Sequence, residues 1–152
     1  MKGYRYYKSK ENKEKTLKFE FEPGASVGRF VSRMVKTMLD LEVKDPKKYV
    51  CYLIDNPESL SFSSSLPFLI NKYKLKYEAG HKHAGPFYTK SVTGLFKLIV
   101  RTMMKYKGKH KQIYEKICVL DKKTEGFQSL KIKTRNNSLT RKTSLKQLIS
   151  ML

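Results

Sequence analysis

Apolar residues recur at two different periods along this chain, and the change from one period to the other lays out its elements. From Leu17 to Phe21 they alternate with charge: Leu17, Phe19 and Phe21 against Lys18 and Glu20, the period of a short strand. Pro23-Gly24 breaks the pattern, and Ser26 stands where a helix N-cap belongs. Val27, Phe30, Val31, Met34, Val35, Met38 and Leu39 then follow at spacings of three and four. That stripe predicts an amphipathic helix ending near Leu41. Arg29, Arg33 and Lys36 lie off it, and for any one of them a solvated face is the ordinary reading. After the Asp45-Pro46 turn, Tyr49 to Ile54 is almost unbroken apolar sequence, which suits a strand covered on both faces. Strand, helix and strand in this order predict a right-handed crossover in a parallel sheet.

Ser59 to Ser65 reads as a loop, and Leu66 to Tyr77 fits a helix or a strand. Glu78 to Pro86, with His81, Lys82 and His83, reads as another loop. Next come Val92, Leu95, Phe96, Ile99, Val100 and Met103, one stripe of a second strong helix. On a wheel turning about 100° per residue, Lys90, Lys97, Arg101 and Lys105 fall opposite that stripe. Lys107, Lys109, His110 and Lys111 crowd the loop expected after it, and Gln112 to Cys118 reads as a short helix or turn. Ile117 to Leu120 predicts a strand ended by Asp121. Leu130 and Ile132 mark a last strand or extended segment, and Thr134 to Thr143 a polar loop holding Arg141 and Lys142. Ser144 caps a final helix bearing Leu145, Leu148, Ile149 and Leu152. Strands alternating with helices predict one α/β domain over residues 17–152. Ahead of it, residues 1–16 form a basic arm in which Tyr4, Tyr6 and Tyr7 interleave with Lys2, Arg5 and Lys8. Such an arm is either a frayed terminus or a segment that stacks on RNA.

Composition narrows the partner. The chain has 152 residues, enough for one domain with a real core, and 39% of them are hydrophobic. Against 13 acidic residues stand 33 Lys and Arg, a formal net charge of +20. A compact chain so charged repels itself unless an anion neutralises it, and nucleic acid is the usual anion. Ten tyrosines and an aromatic content of 12% are too much for a disordered basic tail. The longest apolar runs are far short of the roughly 20 residues of a membrane span, and the N-terminus lacks the apolar region of a secretory signal. A basic amphipathic helix also suits a membrane surface, but these stripes have the width of core-packing faces. Cys51 and Cys118 sit in apolar runs and read as reduced, buried thiols.

No catalytic constellation stands out. The phosphate-cradling Gly-x-x-x-x-Gly-Lys pattern is absent. His81-x-His83 has no further ligand at metal-binding spacing, so neither a metal nor a cofactor is expected. The apolar surroundings of Cys51 favour a core role over a nucleophile. Asp55 and Asp121 both end predicted strands, where nuclease carboxylates could sit, but aspartate there is also ordinary turn chemistry. The reading is of a protein that is not an enzyme and takes no small-molecule substrate.

Three blocks, in order, carry a resemblance. The first is Val27-Gly28-Arg29-Phe30 leading into VSRMVKTML. The second is Gly85-Pro86-Phe87-Tyr88 followed by SVTGLFKLIVRTMMKYKGKHKQIYEKICVLD. The third is Leu130-Lys131-Ile132 with Leu139-Thr140-Arg141-Lys142 and Leu145 downstream. Together they resemble the universal large-subunit ribosomal protein L-thirteen family, most closely its eukaryotic branch, over residues 17–152. This chain departs from the family pattern at Thr102, where a glycine is usual, and at Ala84, where an arginine is usual. Near Tyr88, Lys90 stands alone in place of arginines. The resemblance implies a three-layer α/β/α core around a small, mainly parallel sheet. It also implies a shortened, lysine-rich structural protein of the large ribosomal subunit. Such a protein would bind large-subunit rRNA and neighbouring ribosomal proteins in the cytoplasm, support assembly and translation, and use no cofactor. By their clustering in these blocks, the expected RNA contacts are Arg29, Lys82, His83, Lys90, Lys97, Arg101, Lys105, Lys107, Lys109, Lys111, Arg141 and Lys142. The alternative is a free RNA- or DNA-binding regulator that is not part of the ribosome.

Overall fold

The computed structural model describes residues 14–22, 24–62, 65–78, 91–104, 109–134 and 143–152; the side chains of 76–78 and 109 are not among those described. The chain is an α/β fold built on a four-stranded, wholly parallel sheet flanked by helices, consistent with the three-layer α/β/α class. Strand β1 (Thr16–Glu20) is followed by helix α1 (Val27–Lys44) and strand β2 (Cys51–Asp55). A 3-10 turn at Pro57–Ser59 leads to the short strand β3 (Ser61–Phe62) and helix α2 (Leu66–Glu78). Helices α3 (Val92–Met104) and α4 (Lys109–Glu115) precede strand β4 (Ile117–Leu120) and strand β5 (Gln128–Lys131). Strand β6 (Thr143–Ser144) runs directly into helix α5 (Leu145–Met151). In the main sheet the order is β4-β2-β1-β5, so the first two strands are central.

Strand alternation sorts the sheet residues onto two faces. Leu17, Phe19, Tyr52, Ile54, Ile117 and Val119 join one large core cluster with the buried stripes of all the long helices. Cys51, Leu53 and Cys118 point the other way into a small second cluster, against which Leu120 and Phe127 pack. β2 is buried along its whole length, as its unbroken apolar run requires. Phe30 is the hub of the large cluster: fully buried, edge-on to Phe21 at 5.2 Å and 6.2 Å from Phe96. It thereby locks α1 to α3 and to the end of β1. Pairs of this kind add about 0.5–1.5 kcal/mol each beyond area burial.

Several expectations need correcting. Ser26 occupies the α1 N-cap, but its side chain accepts no capping hydrogen bond; instead its backbone bridges to Ser61. Helix α1 runs three residues beyond Leu41, to Lys44. Ser59 to Ser65 is not all loop: Ser61 and Phe62 pair antiparallel with Ser144 and Thr143. Leu66 to Tyr77 resolves as helix. Met103 is 40% exposed and Met104 is buried instead, because the α3 stripe advances by four residues from Val100. Lys109 to Lys111, expected in a loop, form the first turn of α4. Thr16, placed in the N-terminal arm, opens β1 and is fully buried. Ser144 does cap the last helix, accepting from the Gln147 N–H at 3.2 Å while the Gln147 side chain accepts from the Ser144 N–H at 3.0 Å.

Candidate nucleic-acid interface

Three helices carry four of the expected interface cations. α1 packs on α3 and on α4, and α3 packs on α4, so Arg29, Lys97, Arg101 and Lys111 all ride on one helical assembly. Arg29 and Lys111 are exposed. Arg101 is half-buried in the last turn of α3, where a cation also suits the helix dipole. The His110 ring meets the Met104 carbonyl at the end of the same helix, closing that terminus. This contact accounts for His110 as a structural group.

Lys97 does not stand clear in solvent. It is half-buried on a helix that packs against β4, and burial pulls its ammonium pKa below the usual 10.5. Its stem is therefore packing material, with only part of the side chain available to an anion. Lys109 lies in α4, but its side chain is outside the described set. Lys82, His83, Lys90, Lys105, Lys107, Arg141 and Lys142 lie outside the described residues, as does the tyrosine-bearing part of the arm.

The two aspartates weighed as a nuclease pair have different surroundings. Asp55, 8% exposed at the carboxyl end of β2, is tied to its neighbours. Its Oδ2 lies 2.9 Å from Lys18 Nζ and accepts from the Thr124 N–H at 2.7 Å and the Thr124 hydroxyl at 3.2 Å. Lys18 also donates to the Thr124 carbonyl at 2.6 Å. The group clamps the β4–β5 connection onto β1 and β2. Asp121 is exposed in that same connection. Beside the clamp opens a mixed-charge cleft of about 560 Å³, lined in part by Phe21, Glu20, Glu58 and Lys123. Sequence reasoning had no signal for this network, because Lys18 and Thr124 are 106 positions apart.

A second polar group braces the opposite flank. Glu42 Oε1 accepts from the Tyr52 hydroxyl and from Lys116 Nζ, both at 2.8 Å. Burial, then the Glu42 carboxylate, drives the Tyr52 phenol well above its usual value. Cys51 and Cys118 are free, buried thiols on adjacent strands. Hydrogen bonding to Cys118, then burial, raises the Cys51 thiol far above the ordinary range, which disfavours its thiolate form. Among the described residues no group of three or more His, Cys, Asp or Glu is placed to hold a metal ion. Nor is any helix among them long and apolar enough to cross a membrane.

What the arrangement offers chemically is a packed helical assembly on which Arg29 and Lys111 are exposed and Lys97 and Arg101 half-buried. Such a surface fits anion neutralisation and positioning. In comparisons with known proteins, no family model and no curated protein matches this chain.

Proposed function

We propose that this chain is a structural protein of the large ribosomal subunit, one that binds and stabilises folded large-subunit rRNA and supports subunit assembly. The observation that carries this reading is the charge: 33 basic residues against 13 acidic ones in a chain with a closed apolar core. The three ordered sequence blocks support it, and two of their cations, Arg29 and Lys111, stand exposed.

The mechanism is electrostatic. Each lysine or arginine that meets a phosphate releases condensed counterions, and many such contacts fix the orientation of the protein on folded RNA without reading bases. Lysine supplies point charges, not the planar bidentate fork of arginine, so affinity here comes from number more than from geometry.

Sedimentation of the native complex in moderately high salt tests the reading. A ribosomal protein co-migrates with large subunits after the wash. Quantitative release into the supernatant would instead mark a loosely bound regulator of RNA or DNA.

A further inference from the structure

A second cationic track lies away from α3 and α4, between α1 and the free side of the sheet. β5 ends the sheet, pairing with β1 on one side, and all four of its residues are exposed. Next to it on α1, Arg33 and Lys36 are three residues apart and hence neighbours on one exposed face. Arg29, four residues before Arg33, continues the same row. Across from them, Lys131 and Lys133 are two residues apart along the extended chain, on one side of it. Arg33, Lys36, Lys131 and Lys133, with one acid, Asp40, line a groove of about 440 Å³ together with Thr37, Leu130 and Ile132.

We infer that this groove seats a phosphodiester strand of RNA, so that the protein grips its RNA along a second line besides the α3–α4 flank. The inference rests on the ribosomal-RNA reading above. Charge decides the class of occupant: four cations converge on one groove with a single carboxylate. Lys131 is engaged by Glu22 at 3.7 Å, with half its side chain exposed. Among the described residues neither Lys36 nor Lys133 has a carboxylate within ion-pairing distance. An exposed sheet edge also invites an added peptide strand, and lysines on an edge ordinarily serve to repel one. Here β5 has only four residues, so its free edge offers a short ladder, and the Arg33 guanidinium donates to the Lys133 carbonyl just beyond it. A phosphate chain needs no ladder; it needs cations at intervals along a groove.

The test uses the full chain and purified large-subunit rRNA in filter binding across a potassium chloride series. The double variant Lys36→Ser/Lys133→Ser is compared with Lys47→Ser/Lys48→Ser, which removes the same charge at an exposed turn. Each phosphate contact adds about 0.7–0.9 to the slope of log affinity against log salt. The groove variant is expected to lose about 1.5 from that slope and at least tenfold in affinity, while the control keeps the wild-type slope. Thermal unfolding by circular dichroism verifies that both variants are folded. Equal slopes for the folded groove and control variants would overturn the groove while leaving the ribosomal reading intact. Displacement of a fluorescent polyglutamate peptide from the groove, with rRNA slopes unchanged, would overturn it in favour of an acidic protein partner. Failure of the wild-type chain to bind rRNA better than mixed competitor RNA would sink the ribosomal reading, and the groove with it.

Discussion

Replacing Asp55 by Asn removes one charge and is isosteric, exchanging one carboxylate oxygen for an amide nitrogen. Lys18 then keeps an ammonium whose side chain is 12% exposed, with its partner carboxylate, itself 10% exposed, gone. Breaking a buried ion pair from one side costs about 3–5 kcal/mol. Three features soften the loss here: about a tenth of each side chain still meets water, the Asn carbonyl still accepts from the Thr124 N–H, and a second carboxylate, Glu20 Oε1, lies 4.0 Å from Lys18 Nζ. The expected destabilisation is about 2–3 kcal/mol. For a domain of this size that corresponds to about 4–12 °C in Tm. Urea and thermal unfolding followed by circular dichroism measure it. Adding Lys18→Met to Asp55→Asn removes the stranded cation and is expected to restore at least half of the loss, since the two side chains share one interaction. The destabilisation is also expected to change little between low and moderate salt, because a buried pair is poorly screened. An Asp55→Asn variant within 0.5 kcal/mol of wild type, or a double variant as unstable as the sum of the singles, would refute the clamp.

Other consequences follow from single groups. Lys97 carries a pKa below 10.5 in the fold, so the unfolded chain holds that proton more tightly. Wild-type stability should therefore rise as pH climbs through the window just below 10.5, and Lys97→Met, more stable at neutral pH, should lack that rise in pH-dependent urea melts. Tyr52 has the opposite sign: its raised pKa stabilises the fold below the ordinary value of 10.0, and that contribution drains away as pH rises above it. Tyr52→Phe should cost about 1.5–2 kcal/mol at neutral pH, one hydrogen bond to a charged group, and should flatten the alkaline limb of the melt. Ser144→Ala removes one half of a capping box and should cost about 1 kcal/mol in thermal unfolding, with rRNA affinity unchanged.

The helices α1 and α3 and the strand β4 were legible because each buries one periodic or continuous apolar set. α2 was not, because it has no single oily side: Leu69 and Tyr73 are buried while Phe68 is 56% and Leu75 66% exposed. The β3–β6 pair could not be read from two-residue strands whose partners are more than 80 positions apart. At the interface, composition revealed how much positive charge there is but not its layout. Arg33 and Lys36 look like a solvated helix face until the strand order sets β5 beside α1. Lys97 looked like an outward cation because a helical wheel contains no neighbouring strand, and β4 lies alongside it. Asp55 was legible as a strand-ending acid, but its partners belong to tertiary structure.

The strand order also has a consequence for how the chain is made. β1 and β2 can pair as soon as the first 55 residues have emerged, and β4 adds on the far side of β2 once α3 and α4 are complete. The other side of β1 waits for Gln128–Lys131, more than 100 residues later. Throughout that interval a central strand of the finished sheet is an edge strand of the nascent one, open to pairing with another chain. Lys18 and Glu20 place opposite charges along it, which discourages such pairing until β5 arrives. A ribosome that stalls or terminates before residue 128 would release a chain with that edge still bare.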